Sequence, residues 1–249
     1  MKIVVCIKRV PDTETRIRVS DDGRSIDTSG VKFVTSPYDE FALEAALRTR
    51  EDTGEGEIVA VTIGDDDSRE NLRNALAMGV DRGILLEGRT THDGLATARC
   101  LSTIVEELDP DLVLLGVKAV DDDQQQTGPM LATLQGRGCA TGVSEFRLDG
   151  DAFVCRREVE GGRETVRLAR GAVLTITKGA YEPRHTSLKG IMAARKKPIE
   201  SRPAPDSTSR LEVRSIELPP EREGGRIVGE GPDAVPELVR LLREEAEVI

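Results

Sequence analysis

Four short apolar runs, each followed by a longer stretch with helical periodicity up to the last, constrain this chain more than anything else in it. "KIVVCIK" (2–8), "EIVAVTIG" (57–64), "RGILLE" (82–87) and "DLVLLG" (111–116) have the length and composition of buried strands. Between them, "PYDEFALEAALRTRE" (37–51), "DSRENLRNALAMG" (67–79) and "DGLATARCLSTIVEEL" (93–108) carry apolar residues at helical spacing. Phe41, Ala42, Ala45 and Ala46 share a face of the first, Asp67 or Ser68 fits the N-cap of the second, and Gly79 fits its end. Strands separated by helices of this length are joined by crossovers, which predicts a mainly parallel, doubly wound α/β sheet.

The rhythm then changes. "SEFRLDGDAFVCRREVEGGRETVRLAR" (144–170) carries turn signals at Asp149-Gly150-Asp151 and Glu160-Gly161-Gly162, so an antiparallel meander is expected there. "GAVLTIT" (171–177) is apolar enough to return to the buried sheet. From Ser201 to about Gly231 the chain is rich in Pro, Ser, Glu and Arg, the composition of an extended arm without its own core. "DAVPELVRLLREEAEV" (233–248) closes it as an amphipathic helix with Leu238, Leu241 and Leu242 on one face. Residues 1–200 thus form the predicted α/β domain, and 201–249 an arm and helix that either fold back on it or wrap a partner.

Composition narrows the functions. No apolar run approaches the roughly 20 residues of a membrane span, and "MKIVVCIK" enters a strand directly without a signal-peptide pattern. The expectation is a cytoplasmic protein. A formal charge of −10, no Trp and 2% aromatic residues argue against nucleic-acid binding. Cys6, Cys100, Cys139 and Cys155 form no CxxC pair, and with His92 and His185 the only histidines a zinc site is not expected. There is no GxGxxG opening a helix, no GxxxxGK[ST] and no GxSxG, so dinucleotide, P-loop and nucleophile-elbow chemistry lack their fingerprints.

In an open parallel sheet a ligand sits beyond the carboxyl ends of the strands. Four loops are placed there: "KRVPD", "TSPYDE", "IGDDDS" and "GVKAVDDDQQQTGP" (116–129). In the last, three consecutive carboxylates need compensation. Three readings are open: the aspartates cap a helix starting near "LATLQG"; they hold a hard cation such as Mg²⁺; or they cap the turn while amides and hydroxyls around Gln125, Gln126 and Thr127 bind a phosphate.

"AVDDDQQQTGPM" closely resembles the "AIDDDxNQTGPM" signature of electron-transfer flavoprotein beta subunits, and "VVCIKRVPD" (4–12), "SPYDEFALEAALR" (36–48), "NALAMGVDRGILLE" (74–87), "REVEGGRETVRL" (157–168) and "EPRHTSLKGIMAARKKPIE" (182–200) follow the family's order. The resemblance implies an adenine-nucleotide-hydrolase-like fold and an electron-carrier subunit without turnover of its own. It implies a heterodimer with an alpha subunit that holds most of the FAD at the interface, and AMP buried in this subunit. Cys6, Ser36, Ile63 and Val120, Asp121, Asp122, Asp123, Gln124, Gln125, Gln126, Thr127, Gly128, Pro129 and Met130 would line the AMP pocket, and Tyr38 would lie near the flavin. The arm would wrap the alpha subunit.

The resemblance further implies docking through Leu188, flanked by Lys189, Arg195, Lys196 and Lys197. The partners would be flavin dehydrogenases such as acyl-CoA dehydrogenases, with a membrane quinone oxidoreductase as acceptor and no membrane insertion. Ser36 stands where the family often has Asn, and "HTSLKGIM" replaces "YATLPNIM". Two alternatives compete. One is a bifurcating-type beta subunit with a second FAD, whose motif resembles "DGDTAQVGP"; Asp122 and Thr127 depart from it. The other is a stand-alone adenine-nucleotide-binding protein resembling universal stress proteins.

Overall fold

β1 (Lys2–Cys6) is apolar on both faces: Ile3 and Val5 pack into the core on one side of the sheet, Val4 and Cys6 into the core on the other. Strands of that kind belong in the interior of a sheet, and β1 has a parallel neighbour on each side. The computed structural model describes residues 1–88, 93–205, 208–220 and 224–249, so His92 lies outside the described residues. After β1 come a short antiparallel pair, β2 (Arg9–Pro11) and β3 (Phe33–Thr35), then α1 (Pro37–Thr53), β4 (Glu57–Gly64), α2 (Arg69–Met78), β5 (Arg82–Glu87), α3 (Gly94–Leu108) and β6 (Leu112–Gly116). α4 (Thr127–Leu134) leads into the meander β7 (Cys139–Asp149), β8 (Ala152–Val159) and β9 (Gly162–Ala169), followed by β10 (Ala172–Ile176), α5 (Leu188–Ala194), β11 (Ile199–Pro203) and α6 (Val235–Glu244).

The nine-stranded sheet runs β11-β5-β4-β1-β6-β10-β7-β8-β9. Every neighbouring pair is parallel except β7–β8 and β8–β9. From β1 the chain moves outward through β4 and β5, then crosses back to place β6 on the other side of β1. This is the doubly wound α/β arrangement that the sequence predicts. α1 and α2 cover one face through Leu43, Leu47, Leu72 and Leu76. α3 and α4 cover the other through Leu101, Ile104, Val105 and Leu131.

Several boundaries differ from the sequence reading. β7 starts at Cys139, before the predicted meander, because its first residues pair with β10. α2 is preceded by a 3-10 turn, Asp66–Ser68; Ser68 stands at the N-cap position, one of the two predicted, but its side chain makes no cap bond. β11 pairs with β5 and carries the sheet through Pro203, into the segment predicted as arm. α6 ends at Glu244, after a 3-10 turn over Pro232–Ala234, and none of its residues is buried. Among the described residues no helix is long and apolar enough to cross a membrane.

Candidate functional site

Where strand order reverses, between β1 and β6, the loops beyond their carboxyl ends diverge and leave room for a ligand. A cavity of about 350 Å³ lies there, within the range of small-ligand sites. Cys6, Ile7 and Lys8 line it from β1 and its end, Ile63 from β4, and Leu115 and Gly116 from β6. Gly94 and Thr97 of α3 form another wall, with Ala204 and Pro205 of the arm beside them. The arm is held by Ala204 N–H on the Glu87 carbonyl at 2.8 Å and by Arg210 N–H on Asp93 Oδ2 at 2.7 Å. Asp93 also caps α3, its Oδ1 accepting from Leu95 N–H at 2.9 Å and Ala96 N–H at 3.2 Å.

The three aspartates do not cap α4. Its N-cap is Gln126, with no side-chain cap bond. Lys8 Nζ instead donates to Asp121 Oδ1 at 2.8 Å and Asp122 Oδ2 at 2.9 Å, while Lys118 Nζ donates to Asp123 Oδ2 at 2.9 Å. The capping expectation is therefore corrected: lysine ammonium groups, not helix amides, compensate the carboxylates. They diverge, and the Lys8 ammonium occupies the place a cation would take between Asp121 and Asp122. Burial pushes the Lys8 pKa down, but its bonds to Asp121 and Asp122 outweigh that and hold it above the ordinary value.

With the carboxylates engaged elsewhere, the start of α4 keeps its amides. Among the described residues, the backbone N–H groups of Gln125, Gln126, Thr127 and Gly128 have no hydrogen-bond partner, as expected for a first turn without a cap. Pro129 has no N–H to satisfy. Free amides at a helix N-terminus form an anion seat. Gly128 fixes its position, because a Cβ there would come 2.3 Å from Thr175 Cγ2 on β10.

Asp39, in the first turn of α1, was not singled out from the sequence. It is buried, its Oδ2 accepting from Lys8 N–H at 2.7 Å and its Oδ1 from Gly116 N–H at 2.9 Å. Burial pushes its carboxyl up to about 7, against the pull of those two N–H groups and the Lys8 charge. Burial and the Asp39 charge also raise the Cys6 thiol, which leaves it no nucleophilic character. Lys8 and Asp39 lie in two of the loops named from the sequence, "KRVPD" and "TSPYDE", yet nothing local marks them as partners.

Of the residues predicted for the pocket, Cys6, Ile63, Asp122, Gln124, Gln125, Gln126, Thr127 and Gly128 come together around the cavity. Val120, Asp121, Asp123, Pro129 and Met130 lie outside its lining, the first three in the loop before α4 and the last two in α4. Ser36 is fully buried, its hydroxyl has no hydrogen-bond partner among the described residues, and it does not line the cavity. Tyr38 packs edge-on against Phe41, with ring centroids 6.1 Å apart, and lies 5.7 Å from Lys118 Nζ.

The predicted docking segment is a separate surface. Arg184 anchors its approach through Glu44 and Glu51 of α1, at 2.7 Å each. Leu188 is 82% exposed and Met192 69% exposed. Lys189, Arg195 and Lys196 are exposed around them. Gly190, a departure from the family pattern, lets α5 approach α2: a Cβ there would meet the Ala77 carbonyl oxygen at 2.4 Å. Lys197 corrects the expectation of a free docking charge. Its ammonium turns inward to the carbonyls of Leu76 at 3.1 Å and Val80 at 2.6 Å, and burial lowers its pKa.

Comparison with known proteins gives a consistent result. The family described as "Electron transfer flavoprotein domain" matches residues 24–207. The chain is 42% identical over 253 residues to "Electron transfer flavoprotein subunit beta" of Bradyrhizobium diazoefficiens, covering 100% of both. It is 39% identical over 255 residues to the protein named "Electron transfer flavoprotein subunit beta, mitochondrial" of Arabidopsis thaliana, again covering 100% of both. Against the human "Electron transfer flavoprotein subunit beta" the identity is 40% over 251 residues, covering 98% of each chain.

Proposed function

The chain belongs to the electron transfer flavoprotein family, as a beta subunit, and on that premise we propose that it binds a structural AMP in the cavity between β1 and β6. It serves flavin-associated electron transfer as one half of a heterodimer. The observation that carries the AMP reading is the run of partnerless amides from Gln125 to Gly128 at the cavity edge. A phosphate would rest on these amides and the Thr127 hydroxyl. The carboxylates of Asp121 and Asp122 do not oppose it, because Lys8 holds both. The sugar and base would face the apolar side of the cavity, formed by Ile63, Leu101 and Leu115.

The AMP takes no part in redox chemistry. An FAD at the interface, held mainly by the alpha subunit, supplies the one- and two-electron steps. α6 and the preceding arm wrap that subunit, a role supported by the exposed Val235, Leu238 and Val239. Leu188 anchors dehydrogenase partners such as acyl-CoA dehydrogenases, with Lys189, Arg195 and Lys196 steering the encounter. Electrons pass on toward a quinone oxidoreductase.

Denaturing the purified full chain and identifying what it releases tests the cavity assignment. One AMP per chain is the expected result. One FAD per chain would point to the second-flavin type, and no nucleotide at all would refute the reading.

A further inference from the structure

The loop between β6 and α4 is held in a conformation that it would not keep by itself. Asp123 and Gln125 have φ of 51° and 56°, left-handed values that cost non-glycine residues energy. Such a conformation persists only where surrounding contacts determine it. Within the loop, Lys118 Nζ holds Asp123 at 2.9 Å; from outside it, two contacts run through residues 8 and 39. At the root of the loop, Gly116 N–H donates to Asp39 Oδ1 at 2.9 Å. At its crest, Asp121 and Asp122 accept from Lys8 Nζ at 2.8 and 2.9 Å. Lys8 is itself fixed by its own N–H, which donates to Asp39 Oδ2 at 2.7 Å. One buried carboxylate in the cavity wall therefore ties β1, α1 and β6 together and aims the lysine that holds the loop.

We propose that Asp39 is the positioning residue of the anion seat: its ionised carboxylate, through Lys8 and Gly116, holds the loop so that the amides of Gln125 to Gly128 stay in register for a phosphate. The inference rests on the reading of the cavity as an AMP site. Two donors need two acceptor oxygens, and only the carboxylate offers both without a proton in the way. The neutral acid must turn an O–H toward one N–H and give up that bond. The groups around Asp39 are Lys8 and Cys6 from β1, Asp121 and Asp122 from the loop, and Glu40 beside it on α1. Lys8 favours its charge, while burial and Asp121 oppose it, which leaves the carboxyl poised near pH 7.

The test is the rate at which AMP leaves the AMP-loaded full chain, measured by chase with unlabelled AMP across this pH range, for the wild type and Asp39→Asn. Asparagine has the shape of the neutral acid and turns a donor toward one of the two N–H groups. Release from the variant should be about tenfold faster than from the wild type well above pH 7, the effect of one charge-assisted hydrogen bond. Well below pH 7 the ratio should fall toward one, because the wild-type acid then resembles the amide. Titration of the AMP phosphate affects both proteins alike and cancels in the ratio. A ratio that stays near one throughout, or stays high without changing with pH, overturns the proposal.

Should the variant fail to fold, hydrogen exchange of the wild type decides. Protection of the hydrogen-bonded amides in residues 116–124, corrected for chemical exchange rates, should drop as pH falls through about 7, and unchanged protection overturns the proposal. A wild type that binds no AMP but shows this drop would refute the nucleotide reading and leave the clasp standing.

Discussion

A single methyl group on Gly128 probes how α4 is seated against the sheet. Its Cβ would lie 2.3 Å from Thr175 Cγ2, where carbon–carbon contacts are normally about 3.5–4.0 Å. Thr175 is buried on β10, and its Oγ1 accepts from Gly142 N–H at 3.0 Å, so rotating the methyl aside would break that bond. Overpacking of this kind costs about 1–3 kcal/mol, and a lost or bent hydrogen bond about 1 kcal/mol. Gly128→Ala should therefore destabilise by about 2–4 kcal/mol, a fall of about 4–16 °C in Tm for a chain of this length. Thr175→Ser removes the clashing methyl and keeps the hydroxyl, so the double variant should recover most of the loss. Urea unfolding of the four proteins reads the coupling, expected at about 1–2 kcal/mol. The gap between wild type and Gly128→Ala should widen in saturating AMP, because displaced amides forfeit ligand stabilisation. Additive effects of the two substitutions would refute the packing argument, and a gap unchanged by AMP would make Gly128 a structural residue only.

Two further outcomes concern the docking surface. Leu188→Ala should slow electron transfer from a dehydrogenase, with a loss on the order of 2 kcal/mol in association, while Tm, AMP content and FAD content stay unchanged; unchanged transfer rates would remove Leu188 from the partner interface. Lys197→Met should lower stability by about 1–2 kcal/mol, because it strips the carbonyls at the end of α2 of their cation, whereas Lys196→Gln should leave stability alone and reduce association rates mainly at low salt. The reverse pattern would mean that Lys197 is the free docking charge after all.

What could be read from the sequence was whatever rests on neighbours along the chain. "DLVLLG" and "KIVVCIK" declare buried parallel strands because both faces of each are apolar, and the structure places β1 and β6 side by side. The turn signals at Asp149-Gly150 and Gly161-Gly162 fix the β7–β8–β9 meander because a hairpin needs only its own turn. β2 and β3 escaped notice: each has three residues, and they pair across a long excursion. β11 escaped because "IESRP" alternates too little to be told from the polar arm that follows. It becomes a strand only because the edge of β5 offers unpaired donors and acceptors. At the site, the loop was legible as one of the four placed beyond the strand ends, but the helix expected near "LATLQG" starts earlier, at Thr127. Lys8 and Asp39 were not, because each acquires its role from groups brought together by the sheet.

The acidic run shows why that distinction matters for function. Three adjacent carboxylates beside the proposed phosphate seat are contradictory as long as the loop is considered alone, and each local reading, cap or cation site, resolves the conflict within the loop. The fold resolves it with Lys8, 113 residues away from Asp121 in sequence, and with Lys118 at the loop's own base. This division of labour has a consequence. Because the lysines satisfy the acids, the helix amides need not, and amides left uncapped are what an incoming phosphate requires. A loop whose aspartates capped α4 would gain stability in the empty protein and lose its seat. Here much of the order that holds the loop comes from β1 and α1, so the amides stay available, and anything that loosens Lys8 from Asp121 and Asp122 would free those carboxylates to compete with the proposed phosphate for the same N–H groups.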